Sequence, residues 1–338
     1  TVTAFLAIGM VLVIVTGNID LSVGKLAGFV SVVVAYFQAT IWTRVLPDQA
    51  LAAATLSVFI GVAVGALFGV LQGYIISFLN VPSFIVTLGG MFVLNGAILL
   101  VTQGKTIPAN QPYFSVIAQG YLPVAAGWIL ALLVVAYLYF NMFRSRQKKR
   151  AHSFALSSIY LDLALTTFFA ILVVGYVYIV NQYNGVQIPV LLLAITSVII
   201  SYMANNTRFG RYAYAIGGNR EAARLSGINI RNNIFFVFIL MGLLSGIAGV
   251  VLASYVGYGT IAAGQGYELD AIAAAILGGT STLGGVGTIW GALIGALIMS
   301  SLSNGLQLLN VAPSWQYLLK GLVLVLAVYA DVTFKKRG

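Results

Sequence analysis

Cysteine is absent from this 338-residue sequence, which excludes disulfides and thiolate metal sites and leaves the redox compartment unreadable. Histidine occurs once, as His152 beside a basic run, so a histidine metal centre or catalytic dyad is also excluded. Charge is scarce: 7% of residues are Asp, Glu, Lys or Arg, against about 25% in a soluble domain. With 60% apolar residues and a mean hydropathy of +1.01, the chain cannot clothe a water-facing surface. It reads as an all-α, polytopic membrane protein.

What is abundant fits that reading. Glycine reaches 37 residues, and in lipid an excess of small residues lets helix backbones approach closely. A hydrocarbon core about 30 Å thick takes roughly 20 apolar residues per helical span. Spans are expected near 2–16, 25–43, 51–79, 84–102, 126–143, 159–180, 189–204, 233–255, 286–304 and 317–331, with a shorter apolar piece at 271–282. That makes about ten or eleven transmembrane or re-entrant helices in a single domain over residues 1–338. The sequence opens inside an apolar stretch without Met or a signal peptide, so a preceding segment with one more transmembrane helix is expected.

Orientation follows from Lys and Arg. Thirteen of the 17 fall in three places: Arg144, Arg146, Lys148, Lys149 and Arg150; Arg208, Arg211, Arg220, Arg224 and Arg231; and Lys335, Lys336 and Arg337. Basic loops stay inside, so a basic loop over 144–158, a loop over 205–232 and the tail are cytoplasmic. The segments 103–125 and 181–188 then lie outside, and 271–304 enters and leaves from the outer side as a hairpin. The net charge of +10 is thereby a matter of topology, and no nucleic-acid partner is implied.

Gly61, Gly65, Gly69 and Gly73 recur at every fourth position, and Gly242 with Gly246 and Gly291 with Gly295 repeat the spacing. Such residues share one helix face and form a smooth groove for a neighbouring helix. They are read as packing.

Nucleotide-binding motifs fail. Gly104-Lys105-Thr106 looks like the end of a phosphate loop, but the position of its first glycine is Leu99; the glycines near Gly284 follow no soluble strand. Of the seven carboxylates, Asp48, Asp162, Glu221, Glu268, Asp270 and Asp331 sit at expected loops or span ends. Only Asp20, within Gly17–Gly24, is placed to lie inside the membrane. Its plain role is to cap a helix beginning near Leu21, where a carboxylate meets free N–H groups; contact with substrate is compatible with that. The glycine-rich stretch Gly278–Gly287 is a second interruption, either an interfacial turn or one of the broken helices that line transport pathways. Further polar candidates on pathway spans are Gln72, Asn95 and Asn304, each of which also serves a plain helix-to-helix hydrogen bond.

The loop 215–229 carries the richest local signal. Asn219 is a helix cap, Glu221 suits the positive N-terminal end, Glu221 and Arg224 pair at i,i+3, and Gly227 suits a left-handed stop. A rod about 10 Å long is expected, with Ala222, Ala223 and Leu225 offering a compact surface. On physics alone an ordinary loop helix explains it as well.

The run Glu221-Ala222-Ala223-x-x-x-Gly227 resembles the coupling-helix signature of ABC importer permeases. Asn18–Gly24, Val81–Leu88, Ala215–Ile228, Glu268–Gly287 and Trp315-Gln316-Tyr317 together resemble the ribose/xylose-type branch, nearly end to end. The extra pair of spans around 144–150 is similar to the xylose side of that branch. The resemblance implies the transmembrane-domain fold of an ABC importer in a bacterial inner membrane, with no cofactor in this chain. It implies a homodimer, a double-domain ATPase that binds ATP and Mg on the cytoplasmic face, and a soluble sugar-binding protein outside. It places the ATPase contact at Glu221, Ala222, Ala223, Arg224 and Gly227, and makes a pentose, D-xylose first, the expected substrate. Ribose, another monosaccharide, a nucleoside or a furanose signal is the alternative. A stand-alone secondary transporter or channel would call for ionisable relays deep in the bundle, and a membrane enzyme for a convergent nucleophile, base or metal cluster.

Overall fold

The structure is a computed structural model that describes residues 1–109, 111–151 and 158–335. His152, Lys336 and Arg337 lie outside those residues. The helices are α1 (Val2–Val15), α2 (Val23–Val45, with a π-helical stretch at Phe37–Trp42), α3 (Ala50–Ser77), α4 (Ser83–Thr102), α5 (Val124–Ala151), α6 (Ile159–Asn181) and α7 (Ile188–Asn206). They continue with α8 (Arg208–Gly218), α9 (Arg220–Leu225), α10 (Ile230–Val256), α11 (Tyr267–Leu277), α12 (Ile289–Leu308) and α13 (Pro313–Lys335). Among the described residues the strand content is one antiparallel pair, Ile107–Pro108 with Tyr258–Gly259. Among the described residues nine helices are long and apolar enough to cross a membrane.

Two compact units form. One comprises Thr1–Ala118 and Leu192–Gly338, the other Gln119–Leu191.

In the first unit α1 is apolar on every side and correspondingly buried on every side, from Ala4 to Val15. It packs with α10, α11 and α12 in the main core, where Phe5, Leu12, Phe238, Met241 and Leu244 are fully enclosed. The expected glycine groove is present on α3, and its occupant is α10. Gly65 lies against the backbone of Gly242 and Gly246, and Gly69 against Phe238 and Gly242, so close that a methyl group on either would strike main-chain atoms. The four-residue spacings of α3 and α10 are thus two halves of one seam. Gly291 and Gly295 make the same kind of approach to Gly278 and Ala274, which closes α11 and α12 into a hairpin. The apolar piece expected at 271–282 is therefore shifted: the helix starts at Tyr267 and stops at Leu277, because the glycines that follow turn the chain.

The second unit is built on α5 and α6, with Ala131, Val177 and Val186 at its small core. It corrects one sequence expectation. The basic stretch 144–158 is not a loop throughout, since α5 continues unbroken to Ala151. Arg, Gln and Lys are good helix formers, and cations are favoured at the negative C-terminal end of a helix.

Candidate functional site

The loop 205–232 folds as two short helices in series. Thr207 Oγ1 caps α8 by accepting from Gly210 N. Asn219 then caps α9, its Oδ1 accepting from Ala222 N at 2.9 Å. Glu221 and Arg224 pair at 2.5 Å on the exposed side, and Gly227 takes a left-handed φ of 79° just past the helix. These features match the sequence expectation for 219–227. Of the apolar residues there, Ala223 is turned inward (4% exposed) while Ala222 and Leu225 stand open. The preceding helix α8 was not expected. Its signal was present in Thr207 followed by Phe209, Ala213 and Ile216, apolar at i, i+4 and i+7.

At its C-terminal end α8 meets two other elements without intervening side chains. A Cβ at Gly217 would run into the Val15 carbonyl at the end of α1 and the backbone N of Gly285. Gly285 N itself donates to Val15 O at 2.9 Å, with φ at +72°, a conformation an L side chain strains to adopt. Tyr214 on α8 donates its hydroxyl to Gly287 O at 2.8 Å. Burial pushes the Tyr214 phenol above its ordinary range, so it remains a donor at neutral pH. The same turn is pinned from α13, where Asp331 Oδ2 accepts from Thr282 N at 3.0 Å and Thr282 Oγ1 at 2.9 Å. Gly278–Gly287 is therefore the meeting point of α1, α8, α13 and the α11–α12 hairpin.

The other interrupted stretch also gathers polar groups. Asp20, 2% exposed, accepts at Oδ1 from Ser22 N (2.8 Å) and Ser22 Oγ (2.7 Å). Ser22 Oγ in turn accepts from Gln72 Nε2 of α3 at 2.9 Å. Asp20 thus supports the turn before α2, which begins at Val23 rather than near Leu21. Of the pathway candidates, Asp20 and Gln72 are brought together through Ser22. Asn95 is half-buried on α4 and Asn304 is exposed on α12; neither joins that network. One pair escaped the sequence altogether. Asp270, buried in the first turn of α11, takes Lys320 of α13 at 2.8 Å.

Bundled apolar helices, interrupted twice by buried polar or glycine-rich backbone and carrying a capped basic hairpin outside the spans, define a multi-pass transport protein. The chain belongs to the family described as branched-chain amino acid transport system / permease component, whose profile matches residues 1–328. It is 41% identical over 340 aligned positions to the xylose transport system permease protein of Haemophilus influenzae, covering all of this chain and 88% of that one. The corresponding protein of Escherichia coli K12 is 42% identical over 341 positions, with 100% and 84% covered. The ribose import permease protein of E. coli K12 is 35% identical over 331 positions, with 98% and 82% covered. No solved structure gives a significant match.

Proposed function

We propose that this chain is the membrane-spanning subunit of an ATP-driven importer that moves a pentose, D-xylose first, across a bacterial cytoplasmic membrane. In this reading ATP and Mg are bound by a separate double-domain ATPase, and a soluble binding protein delivers the sugar at the outer face to a dimer of this chain. The observation that carries it is similarity along the whole chain to proteins named as xylose permeases. The geometry of α8 and α9 supports the mechanism. Glu221, Ala222, Arg224 and Leu225 project outward on a capped helix suited to a groove in the ATPase, while Ala223 anchors it. Force on α9 would pass along α8 to Val15 and Gly285 through backbone contacts, which have no rotamers to absorb it.

Reconstitution into proteoliposomes with the neighbouring ATPase and binding protein tests the reading. Uptake of D-xylose should require ATP and both companions. Uptake driven by a proton gradient with the chain alone would reject the mechanism. A binding protein preferring ribose in a sugar panel would keep the mechanism and change the cargo; ribose is the alternative favoured by the 35% identity noted above.

A further inference from the structure

At about 1.5 Å per residue the 28 residues of α5 extend roughly 42 Å, well beyond a hydrocarbon core of about 30 Å and close to the full thickness with headgroups. Its last two turns, from Arg144 to Ala151, therefore run at headgroup depth on the cytoplasmic side rather than out into water. They hold Arg144, Arg146, Lys148, Lys149 and Arg150, faced from α6 by the single carboxylate Asp162. Arg146 pairs with Asp162 and ties the two helices together.

Open clefts lie on either side of that ion pair. One, of about 300 Å³, offers Ser145, Arg146, Lys149 and Thr166 above Leu165 and Phe169. The other, of about 250 Å³, offers Arg146, Gln147 and Arg150 beside Phe143 and Ile159. Arg146 is common to both. Each cleft sets cationic and hydroxyl or amide donors immediately above apolar walls. A free anion has no use for those walls, and a neutral lipid has none for the cations. A phosphodiester carrying acyl chains uses both.

We infer that the cytoplasmic end of the α5–α6 hairpin binds the headgroup of an anionic phospholipid of the inner leaflet. In the first cleft the phosphate takes donors from Ser145 and Lys149 and the chains lie along Leu165 and Phe169; in the second the phosphate takes Arg150 beside Phe143 and Ile159. Basic clefts between spans at this depth attract anionic headgroups with a contribution of about fivefold in affinity per Lys or Arg, and guanidinium and ammonium groups are the natural partners of phosphate oxygens.

The test uses the full chain in detergent, titrated with phosphatidylglycerol or with phosphatidylcholine of the same acyl chains and read by native mass spectrometry. Salt of about 0.3 M confines charge effects to roughly 6 Å. The doubly substituted Lys149→Gln/Arg150→Gln chain, which removes one cation from each cleft, should lose about fivefold in phosphatidylglycerol affinity at each and keep its phosphatidylcholine binding. The Arg144→Gln/Lys148→Gln chain has the same net charge, but these side chains line neither cleft; it should stay within about twofold of the unaltered chain. Equal losses in both variants, or no loss in either, would overturn the inference. So would equally tight binding of soluble glycerophosphate, which marks a free-anion site. None of these outcomes depends on the cargo or on ATP-driven uptake.

Discussion

At the scale of single residues, the α3–α10 seam allows a sharp comparison. Gly65 faces main-chain atoms of Gly242 and Gly246, whereas Gly96 on α4 has open space where a side chain would begin. Gly65→Ala should lower stability by about 1–3 kcal/mol through overpacking. Gly96→Ala should leave it unchanged or raise it by up to about 1 kcal/mol, from helix propensity alone. Thermal unfolding of both variants in one detergent checks the pair. Ser22 allows a second comparison, because its hydroxyl serves Asp20 and Gln72 together. Ser22→Ala leaves buried partners short of a hydrogen bond and should cost about 1–3 kcal/mol. Ser22→Thr, which keeps the hydroxyl, should recover part of that loss in the same melt. Glycine spacing was legible in the sequence because helical periodicity converts four-residue intervals directly into a face. The Asp270–Lys320 pair was not legible, since fifty positions of chain separate its members and no local pattern reports a tertiary ion pair.

At the scale of elements, α9 was readable nearly to the residue, because caps, a left-handed glycine and an i,i+3 ion pair are local chemistry. Its neighbour α8 was hidden by Gly210, Gly217 and Gly218, which argue against a helix until the close backbone contacts of Gly210 and Gly217 are known. The basic end of α5 was misread for a related reason. Hydropathy marks where lipid stops, and a helix of Arg, Lys and Gln continues beyond that point. Gly227→Pro and Glu221→Arg should each abolish co-purification of the ATPase while insertion of the chain in the membrane is kept; retention of the ATPase by both variants would refute the assignment of α9. Tyr214→Phe acts further along the same route. It removes the hydroxyl bonded to Gly287 O and should leave ATPase binding intact while lowering sugar uptake per ATP hydrolysed, measured in proteoliposomes.

At the scale of the whole molecule, the absence of native cysteine turns orientation into a direct measurement. The distribution of Lys and Arg places Leu225 inside and the 181–188 segment outside. Leu225→Cys and Tyr183→Cys, at positions 79% and 77% exposed, should therefore react with a membrane-impermeant maleimide from opposite faces. In right-side-out vesicles only Tyr183→Cys should label, and in inverted vesicles only Leu225→Cys. Labelling of both from one side would overturn the orientation. The order of the spans followed from hydropathy, since lipid thickness sets a length that composition reveals; their number did not quite, because the span expected at 2–16 is the shorter helix Val2–Val15 and nine helices among the described residues reach spanning length. The joining of distant interruptions did not follow, because hydropathy carries no information about which turns touch.

The junction at Gly285 has one more consequence. The turn of the α11–α12 hairpin is stitched to Val15 at the end of α1 and is held by Tyr214 of α8. If α9 takes the push of an ATPase as proposed, this clamp would carry it into α11 and α12 as one stiff piece.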